Sequence, residues 1–169
     1  TNAIVDAIPA SGNTPLAETM YEAALYYRGL NADYGSLLTT DNDALDSLIP
    51  MDYKQPAEYA CAKNFIVLLT DGQPTQDRGA WSRAPTLPKY ASTLGRASCS
   101  GKDENGACLD DIAEYLSKVD INTSVNGDQH VTTYTIGFTV DLDTLKSTAE
   151  SSGGEYYLAS DVKSLTAAL

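Results

Sequence analysis

Residues Phe65-Ile66-Val67-Leu68-Leu69 form an unbroken apolar run that Thr70, Asp71 and Gly72 end abruptly. The run is too short for a helix of its own. Bounded by turn residues, it predicts a strand buried on both faces, the usual condition of a central strand in a parallel sheet. Open α/β sheets hold their ligands outside the carboxyl ends of the strands. Asp71 is therefore a carboxylate placed where such folds keep their chemistry. A plainer role is equally open to it, because an Asp-Gly pair at a strand end is a common turn former.

The flanking sequence supplies the rest of an α/β pattern. Ser11-Gly12-Asn13-Thr14-Pro15 is a compact turn leading into Leu16 to Arg28, where Leu16, Met20, Ala23, Ala24 and Tyr27 share one helical face. Thr14 suits the N-cap and Pro15 the first helical position. A hydroxyl at a loop-to-helix junction can also ligate a metal. Asp41-Asn42-Asp43-Ala44-Leu45-Asp46 lacks the glycine and distal glutamate of an EF-hand, and reads as an acidic helix start that Pro50 stops. Trp81 stands between loop residues as a packing lid. Leu109, Ile112, Ala113, Leu116 and Val119 make an amphipathic helix, with Asp110, Asp111 and Glu114 suiting its amino-terminal dipole.

Farther on, His130 to Val140 alternates as a second strand, and the lone histidine sits at its solvated start. Asp141 to Ser151 reads as a helix stopped by Gly153-Gly154, Glu155 to Ala159 as a third strand, and Ser160 as the cap of a last helix through Leu169. Helices and strands alternate throughout, which makes the fold class α/β and layered.

The chain is of single-domain length, with 169 residues. Its 11 basic residues against 23 acidic ones give a formal charge of −12, which repels nucleic acid and anionic lipid and favours cations. No stretch has membrane-spanning length, so neither a nucleic-acid partner nor membrane insertion is expected. Thr1 is not an initiator methionine, and a processed or excised piece is the expectation. Cys99 and Cys108 flank a polar loop with no large apolar anchor. A disulfide there predicts an oxidising, extracellular setting, against the alternative of two free thiols. Cys61 is left over, either buried and reduced or without a partner in this chain.

Four segments in order carry a resemblance: Ser-Gly-Asn-Thr-Pro at 11–15, Leu-Leu-Thr-Asp-Gly at 68–72, Tyr-Thr-Ile-Gly-Phe at 134–138 and Gly-Gly-Glu-Tyr-Tyr at 153–157. The chain resembles the later two-thirds of a von Willebrand factor type A domain. The runs starting at Cys61 and Cys108 are similar to the type A domain at the front of type IV pilus tip adhesins, the PilY family. That resemblance implies a three-layer α/β/α, Rossmann-like domain with a mostly parallel central sheet, incomplete here, with residues 1–169 forming one domain. It also implies a divalent cation, magnesium or else calcium or manganese, at a metal-ion-dependent adhesion site.

In such a site Thr14 matches the threonine ligand and Asp71 the strand-end aspartate. The family's Asp-x-Ser-x-Ser loop is absent from this chain, so weak intrinsic affinity for the cation is expected. The missing strands would come from an amino-terminal complementing segment or a second chain, lying against Phe65–Leu69, and Cys61 would pair there. The implied function is a non-catalytic adhesion module on a pilus or cell surface. Its partners would be a protein ligand or surface receptor and other pilus components. The alternative is a structural subunit of a pilus tip or filament. An enzyme is not expected, because no Gly-rich phosphate cradle, second strand-end carboxylate or Ser/His/Asp arrangement accompanies Asp71.

Overall fold

The computed structural model describes residues 12–37, 44–46 and 51–168. Helix α1 (Leu16–Tyr27) leads to strand β1 (Asn64–Thr70). Two short helices, α2 (Ala80–Arg83) and α3 (Tyr90–Leu94), precede α4 (Leu109–Lys118). Strand β2 (Val131–Phe138), α5 (Asp143–Ser151), β3 (Tyr156–Ala159) and α6 (Val162–Ala168) complete the order. Of the helix expected to run from Asp41 to Pro50 only residues 44–46 are described, and these are not helical, Leu45 forming an antiparallel bridge with Tyr53; Leu169 lies outside the described residues.

The α/β class stands. All strand pairings are parallel, in the order β1-β2-β3, and helices flank the sheet. Asn64 is in register with Val131 and Thr70 with Gly137, while Thr135 pairs with Tyr156. One sheet face supplies Ile66, Leu68 and Val131 to a core shared with Met20 of α1 and with Leu109, Ile112, Ala113 and Leu116 of α4. Burying a side chain such as Ile112 contributes about 1.5–3 kcal/mol. The Thr135 hydroxyl points the same way and donates to the Leu145 carbonyl of α5 at 2.7 Å.

The expectation that β1 is central and buried on both faces is corrected. It is an edge strand among the described residues, and its burial alternates. Successive side chains of a strand point to opposite faces, and among the described residues the helices cover only one of them. Phe65, Val67 and Leu69 are 50%, 55% and 50% exposed on the other. Phe65 there meets the Tyr134 ring at 6.0 Å between centroids.

Three local expectations also change. The buried stripe of α1 is Leu16, Ala17, Met20, Tyr21, Ala24 and Leu25, rotated away from Ala23 and Tyr27. Trp81 belongs to α2 and packs against the core rather than standing among loop residues. The last helix is capped by Asp161, whose Oδ1 accepts the Ser164 N–H at 2.7 Å, and not by Ser160.

Candidate functional site

Both residues singled out at the sheet's carboxyl end turn out to lack the plain structural role that competed for them. The turn after β1 is closed by Thr70, not by Asp71. The Thr70 hydroxyl donates to the Gly72 carbonyl at 2.9 Å, and the Gly72 N–H returns to Thr70 Oγ1 at 3.2 Å. Asp71 is exposed, and its carboxylate makes no hydrogen bond or ion pair with any described residue.

Thr14 is likewise not the side-chain cap of α1, which corrects the N-cap reading. The residue at the cap position is Pro15, and its side chain makes no capping hydrogen bond. Proline at that point offers no hydroxyl, and the Thr14 backbone bonds a distant segment as well as the Leu16 N–H at 3.0 Å. Its N–H donates to Thr75 Oγ1 at 2.9 Å, and its carbonyl accepts from the Thr75 N–H at 3.2 Å, forming an isolated antiparallel bridge.

That bridge brings the start of α1 to the carboxyl end of β1. A β-carbon built on Gly72 would lie 3.9 Å from Thr14 Oγ1, nearer than any other described atom outside Gly72's chain neighbours. The Thr14 hydroxyl therefore faces the residue next to Asp71. Two oxygen donors, one of them a carboxylate, stand at one end of the sheet without other partners among the described residues. Hard divalent cations take such oxygen ligands, and magnesium keeps several waters when the protein supplies few. The chemistry of the donor set suits a weakly held ion.

The true anchor of α1 is Asp77, which the sequence did not single out. Its side chain is fully buried, and Oδ2 accepts the Ala17 N–H at 2.8 Å while Oδ1 accepts the Glu18 N–H at 3.0 Å. Glu18 answers by accepting the Gly79 N–H at 2.8 Å. Burial pushes the Asp77 carboxyl above its usual range, and the bonds from Ala17 and Glu18 pull it back in part. Helix N-termini leave such N–H groups unpaired, and the dipole favours an anion there.

Asp77 is in turn fixed by the disulfide loop. Its N–H donates to Asn105 Oδ1 at 2.9 Å, and its carbonyl accepts the Gly106 N–H at 3.0 Å. Gly106 has φ of +81°, and a β-carbon there would sit 2.8 Å from Pro74 Cγ, so only glycine fits this contact. The loop is closed by the expected Cys99–Cys108 disulfide, with Cα atoms 5.3 Å apart. Arg78 adds an exposed ion pair with Asp103 at 2.9 Å.

The remaining sequence candidates lie elsewhere. Asp111 is buried, holds Arg96 at 2.5 Å and accepts the Ser100 N–H, so it braces the disulfide loop against α4. His130 is exposed, with Nδ1 3.0 Å from the Val119 carbonyl, at the opposite end of the sheet. Cys61 is free and exposed, three residues before β1 begins. The one group of metal-type side chains that clusters tightly among the described residues, Cys99, Cys108 and Asp111, contains the disulfide-bonded sulfurs and is no cation site. Among the described residues no helix is long and apolar enough to cross a membrane. Comparison with protein-family models, with curated proteins and with solved structures returned no match to this chain.

Proposed function

We propose that the chain is a non-catalytic binding module of the von Willebrand factor type A kind, engaging a protein ligand through a divalent cation held in part by Thr14 and Asp71. The observation that carries the reading is that both side chains are released from structural work at the same sheet end. Thr70 closes the turn that Asp71 would close, and Asp77 holds the helix that Thr14 would cap. A cation bound there with few protein charges keeps excess positive charge, which attracts a carboxylate from a partner. The all-parallel sheet and the position of both residues at its carboxyl end support the type A assignment. The disulfide supports an oxidising, extracellular setting such as a pilus or cell surface.

The same reading supplies a further strand, from a complementing segment or a second chain, against β1. Its support is the outer edge of that strand, which pairs with no other strand among the described residues, together with Phe65, Val67 and Leu69. That open edge also favours the second reading, a structural subunit of a pilus tip or filament in which assembly rather than ligand capture is the task. Asp71→Ala separates the two. Loss of surface or receptor binding with assembly intact supports the adhesion module, and binding that survives the substitution supports the structural subunit.

A further inference from the structure

We infer that Asp77 is a positioning residue for the Thr14–Asp71 pair, its buried carboxylate holding the first turn of α1, and Thr14 with it, against the carboxyl end of β1. The inference rests on the cation-binding reading above and adds the device that sets its geometry. Asp77 is not itself a ligand: it has no exposure, and both its oxygens already accept backbone N–H groups. Those groups belong to Ala17 and Glu18, three and four residues beyond Thr14. Among the described residues Thr14 is otherwise tied by its carbonyl to the Leu16 N–H at 3.0 Å and by its exposed bridge to Thr75, with the exposed Asn13–Gln76 bond beside it at 3.2 Å. The hold is reciprocal through Glu18 and Gly79.

Asp77 also has a fixed base of its own. Asn105 and Gly106 bind its backbone from the loop that Cys99 and Cys108 close. A chain of contacts thus runs from the disulfide loop through Asp77 and the start of α1 to Thr14. The device sets the spacing between two ligands that come from segments 57 residues apart in sequence (71 − 14).

A control lies on the same helix. Glu22 accepts the N–H groups of Asp33, Tyr34 and Gly35 and the Tyr53 hydroxyl, a comparable clamp that does not touch the Thr14 end. Hydrogen–deuterium exchange by mass spectrometry, on the whole chain with and without millimolar magnesium, distinguishes the two. In Asp77→Asn the amides of residues 14–20 should exchange about fivefold faster or more, and magnesium-dependent slowing around Thr14 and Asp71 should disappear. In Glu22→Gln the faster exchange should fall on residues 33–35, with the magnesium response retained. Asn105→Ala, a milder change, should give the Asp77 pattern in weaker form if Asp77→Asn does not fold. Wild-type exchange at 14–20 in Asp77→Asn, or equal loss of the magnesium response in Glu22→Gln, overturns the inference. Freed 14–20 amides with no magnesium response even in the wild type leave Asp77's hold on Thr14 standing and remove the cation reading instead.

Discussion

The carboxylate of Asp77 accepts the Ala17 N–H at 2.8 Å across 60 residues of sequence, and this bond stands where a local cap from Thr14 was expected. The substitution of a distant cap for a near one has a functional side. A threonine that caps its own helix has its hydroxyl occupied, whereas one whose helix is anchored by another residue keeps that oxygen available. Asp71 is freed in the same manner by Thr70.

Asp77 and Glu114 should impose opposite pH dependences on stability. Burial raises the Asp77 pKa above its ordinary 3.8, so the part of its contribution linked to that shift is complete below that value and is lost as the pH rises through the folded pKa, while the bonds to Ala17 and Glu18 remain. Burial acts the same way on Glu114, but Lys118 and Arg96 outweigh it and leave the pKa below 4.5. The Glu114 contribution is present above its unfolded value and is lost as the pH falls through the folded one. Thermal unfolding across pH should show the penalty of Asp77→Asn shrinking as the pH rises, and that of Glu114→Gln growing. Parallel trends for the two variants would contradict these assignments.

Removing the disulfide should be costly and local in its consequences. Cross-linking a loop of this length contributes about 3 kcal/mol through the unfolded chain, and both sulfurs belong to buried residues. Chemical denaturation of Cys99→Ser/Cys108→Ser should show a loss of about that size. Exchange should quicken at Asp77, whose N–H depends on Asn105, before it does in β2. A loss under about 0.5 kcal/mol, the range of a neutral surface change, would mean that the loop is held without the bridge.

The bare face of β1 should govern self-association. Val67 is 55% exposed on a strand whose outer edge pairs with no other strand among the described residues, and such edges are templates for pairing with another chain. Val67→Lys should change folding stability by less than about 0.5 kcal/mol while shifting the protein toward monomer in sedimentation velocity. Lost stability of several kcal/mol would show instead that the face is covered.

Much of the fold was legible in the sequence because it is written in local patterns. The stripe of Leu109, Ile112, Ala113 and Leu116 gave α4, and alternation around Thr133 and Thr135 gave β2. The Phe65–Leu69 run gave a strand but not its place, since unbroken apolarity encodes an inner strand and an edge strand awaiting cover alike. Thr14 and Asp71 were visible because each stands within a recognisable turn-forming stretch, Ser11 to Pro15 and Thr70 to Gly72. Asp77 was not, since its partners Ala17 and Glu18 are far away in sequence and Gln73 to Arg78 reads as ordinary polar loop. Only the pairing of the two chain segments, fixed by Thr14 and Thr75, reveals it. The cap at Asp161 was missed by one residue because Ser160 beside it has the same propensity.

The claim on which the rest depends is that Thr14 and Asp71 share one cation, and manganese titration followed by paramagnetic broadening of amide signals tests it most directly. Broadening should appear first at Thr14, Asp71 and Gly72 and be abolished there by Asp71→Ala. Broadening that begins instead at other exposed carboxylates, such as Asp143 or Glu104, and is indifferent to Asp71→Ala would contradict it.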